Sequence, residues 1–224
     1  VAASPCAESP GASGPLPSHG IYRPLDGELR QLAEMIGSAE RITVFCGIGA
    51  REAHDEVVRL AAMLKAPVAY TFKAKMEVQY DNPYEIGMTG LLGLPSAYGA
   101  MHESDLLLLL GTDFPYDCFL PSECRIAQVD IRPERIGRRA RVELGLAGDV
   151  KDTLQALLPM LRERSDRTFL DRQLKIYRAL CDDMAAVASK RGSTGNIAPE
   201  YVATLIDSLA SDSAVFTVDT GMCC

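Results

Sequence analysis

The chain has 224 residues and a formal net charge of −7, with 47% hydrophobic and 24% charged residues. This is ordinary globular composition, and its acidic balance gives no general electrostatic drive toward nucleic acid. No run approaches the ~18 apolar residues of a bilayer-spanning helix, and the length allows one full domain plus part of another.

Residues 1–20 are rich in Ser, Pro, Gly and Ala, offer almost nothing to bury and read as a flexible linker. Asp26 is placed to cap a short helix whose Leu29, Leu32, Met35 and Ile36 share one face. The chain then alternates. Ile42–Cys46 reads as a strand, Glu52–Lys65 as a helix with Val57, Leu60, Ala61 and Leu64 in register, and Pro67–Thr71 as a second strand. Asp81–Gly93, DNPYEIGMTGLLG, has neither helix period nor strand alternation and is expected to be an irregular loop. The five leucines Leu106–Leu110, between Asp105 and Gly111, have the length and flanks of a strand buried on both faces. Arg125–Ile131 and Leu144–Ala147 read as further strands, and Val150–Arg164 as a helix.

Strands alternating with helices, and apolar throughout, define an α/β class: a parallel sheet flanked by helices, Rossmann-like, over residues 21–165. Phe169–Lys190 is expected to be a long charged helix lying across a surface, in an inter-domain linker of residues 166–195. Pro199 suits the first turn of a helix through Leu209, and Ala214–Val218 reads as a new strand. Residues 196–224 therefore look like the start of a second α/β domain, and a chain opening on Val1 reads as a fragment of a longer one without a secretion leader. The cysteines are Cys6, Cys46, Cys118, Cys124, Cys181, Cys223 and Cys224; their odd number, scattered spacing and lack of any C-x-x-C point to reduced thiols, not a disulfide framework or zinc knuckle.

Ligands of open parallel sheets bind beyond the carboxyl ends of the strands. The residues at those ends are Gly47 and Gly49, then Lys73 and Lys75, then Gly111, Thr112, Asp113, Phe114 and Pro115, then Asp130, then Asp149. They are small, polar or charged, and suit a long ligand with phosphates in its middle. Gly47 and Gly49 would let backbone N–H groups approach a phosphate, although the third glycine of a dinucleotide fingerprint is replaced by Glu52. A tight strand–helix turn without ligand is the alternative. Lys73 and Lys75 could neutralise a diphosphate or form a solvated loop; Asp130 could accept from a ribose or serve as a turn residue. His54 and His102 read as surface or packing residues, and Glu52, Asp55 and Glu56 as first-turn helix charges. Arg132, Arg135, Arg138, Arg139 and Arg141 read mainly as a solvated or inter-domain face.

These pieces occur in an order and spacing that carry a resemblance: Gly47-x-Gly49, Ala53-His-Asp-Glu56, Lys73-Ala-Lys75, Tyr80-Asp-Asn-Pro-Tyr84, Gly87-Met-Thr-Gly90, Gly111-Thr-Asp-Phe-Pro115, Asp130-Ile131 and Gly148-Asp149. From about Tyr22 to Thr220 the chain resembles the central domain of thiamine-diphosphate-dependent enzymes, nearest to the pyruvate dehydrogenase (quinone) or pyruvate oxidase group. The resemblance implies that this domain binds FAD. Met88, Thr89, Gly90 and Leu91 would lie along the flavin nucleotide, Gly111–Pro115 against its flavin end with Phe114 giving apolar surface, and Asp130 and Asp149 at its adenosine end. It implies a parent that oxidatively decarboxylates pyruvate and passes electrons through FAD to a quinone. Thiamine diphosphate and Mg2+ would be held by N- and C-terminal domains outside this chain. The parent would be a homo-oligomer, a tetramer, cytoplasmic or peripheral to the inner face of the membrane, meeting membrane and quinone only through segments not present here. The fragment alone is expected to be inactive. An acetolactate synthase-like or decarboxylase relative, or a non-catalytic nucleotide-binding module, remains open.

Overall fold

The computed structural model describes residues 20–189 and 197–217. The first helix, α1 (Asp26–Ser38), turns Leu29, Leu32, Met35 and Ile36 inward. Its cap is not Asp26. The flanking residue is Leu25, whose N–H donates to the Glu28 carboxylate at 2.8 Å, while Asp26 in the first turn pairs with Arg23 at 2.7 Å. A carboxylate three residues into the helix thus satisfies the donor that a capping side chain leaves open.

Strand β1 (Ile42–Cys46) follows, then α2 (His54–Leu64) and β2 (Val68–Tyr70). The second helix starts two residues later than its pattern suggests because Glu52 has φ +70°, a conformation that no helix accommodates. The short α3 (Lys75–Val78) leads to β3 (Glu85–Met88), which lies inside the stretch expected to be irregular. It is an edge strand with an irregular register on β2, pairing Val68 with Glu85 and Tyr70 with Met88. That irregularity hides its alternation. Helix α4 (Pro95–Glu103), which the patterning did not reveal, carries the chain to β4 (Leu106–Leu110). Strands β5 (Arg125–Asp130) and β6 (Leu144–Ala147) complete the sheet. Helix α5 (Val150–Leu157) ends short of Arg164: a tight turn, Leu158–Met160, replaces it at Pro159. Helices α6 (Thr168–Ala188) and α7 (Pro199–Leu209) follow. Residues 214–217, expected to begin a strand, have no strand pairing among the described residues, and Val218 lies outside them.

The sheet has six parallel strands in the order β3-β2-β1-β4-β5-β6. With side chains alternating between faces, Leu106, Leu108 and Leu110 enter one core and Leu107 and Leu109 the other. The first core joins Leu32 and Ile36 of α1, Val57 and Leu60 of α2, and Leu154 and Leu157 of α5. The second joins Phe45 and Ile126 to Ala97, Ala100 and Met101 of α4 and to Leu170 and Leu174 of α6. The long helix is therefore seated on the sheet by its first turns; only its later residues lie on the surface. The chain runs one way from β1 to β3 and then returns to build the other side from β4. Its topological switch point is the gap between β1 and β4, where open α/β sheets bind ligands at the carboxyl edge.

Candidate functional site

At that switch point the turn after β1 and the turn after β4 meet backbone to backbone. Gly47 N–H donates to Leu110 O at 2.8 Å and Gly49 N–H to Gly111 O at 2.9 Å. These amides, which the sequence suggests for a phosphate, are engaged by the neighbouring turn. A Cβ on Gly47 would stand 2.4 Å from the Gly111 oxygen, so these residues are small to let two chain segments touch.

Two cavities open on the carboxyl edge. The first, about 200 Å³, is lined by residues that include Gly49, Glu52, Gly111, Asp130 and Asp149. The second, about 320 Å³, is walled by Thr89, Gly90, Leu94, Pro95, Tyr98 and Phe119. The edge residues of β1, β4, β5 and β6 are thus gathered at the first cavity, and Thr89 and Gly90 after β3 at the second. Met88 belongs to β3 itself, and Leu91 is exposed beyond it. Lys73, exposed in the turn Phe72–Ala74, and Lys75, at the start of α3, line neither cavity.

The segment Gly111–Pro115 runs between the cavities. Thr112 is buried, and its hydroxyl oxygen has no hydrogen-bond partner among the described residues. Phe114 is only 6% exposed; its ring meets Phe45 edge-on, with centroids 5.3 Å apart, and touches the position of Gly90. It is a core residue that backs the second cavity, and the aromatic surface is supplied by Tyr98 and Phe119. Pro115 is exposed.

Asp130 is buried at the end of β5, where Oδ1 accepts the Arg132 N–H at 2.9 Å. Burial pushes its carboxyl above the usual range, opposed by that hydrogen bond and by Arg135. Asp149 caps α5, accepting from the Asp152 N–H at 3.1 Å, and its own N–H donates to Tyr22 O at 2.7 Å.

The arginine run is not simply solvated. Arg138 and Arg139 reach Asp113 at 3.3 and 3.2 Å, with Arg135 at 3.8 Å. Sequence reading missed this convergence because the loop after β5 folds over the loop after β4. His54 stacks on Tyr80 with centroids 3.9 Å apart, and His102 on Tyr98 at 4.0 Å, both packing roles. Glu56 is buried and accepts from Gln155 at 2.8 Å. Among the described residues, no trio of His, Cys, Asp or Glu side chains is arranged to hold a metal ion.

A doubly wound parallel sheet with cavities along its switch-point edge defines a nucleotide-site class of α/β domain. The chain belongs to the family described as thiamine pyrophosphate enzyme, central domain, whose model matches residues 29–157. It is 50% identical over 158 residues to an uncharacterized 42.6 kDa protein of Pseudomonas amyloderamosa, covering 70% of this chain and 40% of that one. It is 31% identical to the putative thiamine pyrophosphate-containing protein YdaP of Bacillus subtilis, over 93% of this chain and 36% of that protein. It is also 25% identical to the pyruvate oxidase of Lactiplantibacillus plantarum, over 85% of this chain and 32% of the relative. The chain thus spans less than half the length of these relatives.

Proposed function

We propose that this domain is the FAD-binding part of a thiamine-diphosphate-dependent enzyme that oxidatively decarboxylates pyruvate and delivers electrons to a quinone. The observation carrying the flavin reading is the pair of unlike cavities on one sheet edge: one with the carboxylates of Asp130 and Asp149, the other with an apolar wall that includes Tyr98 and Phe119. These fit a dinucleotide with a hydroxyl-rich adenosine end and a flat apolar end. The unpartnered Thr112 hydroxyl supplies a further polar group in the segment between them. When bound, FAD would accept and pass on electrons. The protein's part is to orient it: Asp130 and Asp149 accept from ribose hydroxyls, while Thr89, Gly90 and Phe119 border the flavin end. Thiamine diphosphate and Mg2+ would be supplied from other parts of the enzyme.

The test is the visible absorption spectrum of the purified protein after incubation with FAD and gel filtration. A retained flavin band is the expected result; none retained would refute the reading. Acetolactate synthase chemistry is the second reading, favoured by the 28% identity over 89% of the chain to the Mycobacterium avium protein of that name. Assays of the intact enzyme with pyruvate distinguish the two: acceptor reduction supports the first reading, and acetolactate formation without it supports the second.

A further inference from the structure

The rim carries a concentration of positive charge to which the flavin reading above assigns no task. Asp113 sits in the segment between the cavities: Gly111 lines the first, and the Phe114 ring touches the position of Gly90 at the second. Around this one carboxylate stand Arg135, Arg138 and Arg139, all from the connection between β5 and β6. One negative charge against three positive leaves a local surplus in an otherwise acidic chain. Each guanidinium has five N–H donors, whereas Arg138 gives one hydrogen bond to Oδ2 and Arg139 one to Oδ1 of Asp113. Most of their donors remain for another acceptor.

The cluster is also held in place. Gln128, only 4% exposed on β5, donates from Nε2 to Thr112 O at 3.2 Å and to Arg135 O at 3.4 Å, and its Oε1 accepts the Gly137 N–H at 2.9 Å. This amide clamps the arginine loop onto the segment between the cavities. Asp113 has 13% side-chain exposure but Arg138 has 55%, so the guanidiniums open outward from a sheltered counter-ion.

We infer that Arg135, Arg138 and Arg139 form an anion site, held ready by Asp113, for the diphosphate of a dinucleotide whose two ends occupy the two cavities. The inference rests on the nucleotide reading and deepens it. In a dinucleotide the diphosphate separates the two halves, as the cluster separates the two cavities. Guanidinium forks are suited to phosphate oxygens through charge-assisted, paired hydrogen bonds.

Calorimetric titration of the intact protein with FAD, ADP and riboflavin tests this, on the wild type, on a double variant, Arg138→Gln with Arg139→Gln, and on Asp113→Asn. The double variant should bind FAD and ADP about tenfold or more weakly, with a shallower salt dependence, and riboflavin as before. Asp113→Asn should tighten ADP, because it removes negative charge and leaves the guanidiniums. The opposite signs separate a lost anion site from a damaged fold. Wild-type affinity for FAD and ADP in the double variant would overturn the site and leave the flavin reading standing. Binding of ADP but not FAD by the wild type, with ADP lost in the double variant, would sink the flavin reading and support the site. Binding of neither by the wild type overturns both. If the double variant loses its far-UV circular dichroism, Asp113→Asn decides: tighter ADP binding supports the site, and unchanged or weaker binding overturns it.

Discussion

Gly49 and Gly111 join the two arms of the switch point without an intervening side chain. The Gly49 N–H donates to Gly111 O at 2.9 Å; a Cβ on Gly49 would stand 2.7 Å from Gly111 Cα, and one on Gly111 2.5 Å from Gly49 Cα. Gly111 also has φ +61°. Alanine at either position must push the turns apart, at a cost of about 1–3 kcal/mol. Gly111→Ala adds left-handed strain of about 1–2 kcal/mol. Urea unfolding should therefore rank Gly111→Ala below Gly49→Ala, and both below wild type. A neutral Gly49→Ala would mean that the turns separate freely.

Glu52 occupies a left-handed position, φ +70°, on the wall of the first cavity. Backbone strain and charge can be separated there. Glu52→Gly relieves the strain but loosens the unfolded chain, a net gain of up to about 1 kcal/mol. Glu52→Gln keeps the strain and removes the charge. Thermal melts should show a gain for the glycine variant alone. Titration with ADP should show tighter binding for both, since a carboxylate beside a diphosphate is repulsive. Tighter binding by the glycine variant alone would assign the effect to backbone shape.

Strands β1, β2, β4, β5 and β6 were legible because each is short, apolar and bounded by turn residues. The leucine run identified the central strand by its flanks, and the structure divides its residues between two cores. Edge strand β3 was not legible: one bulged register against one neighbour imposes little pattern on four residues. Helix α4 was hidden by a sequence, PSAYGAMHE, in which small residues rather than a leucine stripe pack on the sheet. At the site, sequence order gathers Gly49, Gly111, Asp130 and Asp149 correctly at one edge, because chain topology alone places strand ends there. It cannot show that the Gly47 and Gly49 amides are already bonded, or that three arginines meet Asp113, because both depend on how two loops lie across each other.

Asp130 is held at a cost. Its folded-state carboxyl is raised, first by burial, so it favours stability below the unfolded carboxylate range; that contribution is lost as pH rises through the raised value. Asp130→Asn cannot titrate and should be more stable than wild type at neutral pH. The difference should shrink on acidification toward about pH 4. The same variant should bind ADP more weakly if the carboxylate accepts from ribose. Melting curves at two pH values and one titration test the trade. A variant less stable at neutral pH would show that the Arg132 hydrogen bond outweighs burial.

Glu85 on β3 fastens α6 to the sheet edge. It accepts from the Tyr70 hydroxyl at 2.6 Å and the Tyr177 hydroxyl at 3.0 Å. Burial, then the Glu85 carboxylate, pushes both phenols above the usual tyrosine range. A raised folded value favours the protein fully below the unfolded tyrosine value of about 10 and progressively less above it. The fold should therefore lose stability in alkali from about pH 10 upward, as the unfolded chain releases protons that the folded one retains. Tyr177→Phe keeps the ring and removes one donor, which should cost about 1 kcal/mol at neutral pH. Because phenylalanine does not titrate, the gap between variant and wild type should narrow above about pH 10. Urea unfolding of both proteins at neutral and alkaline pH measures the gap. A constant gap would mean that Tyr177 contributes through packing alone, with its hydroxyl bond to Glu85 immaterial to how α6 is held.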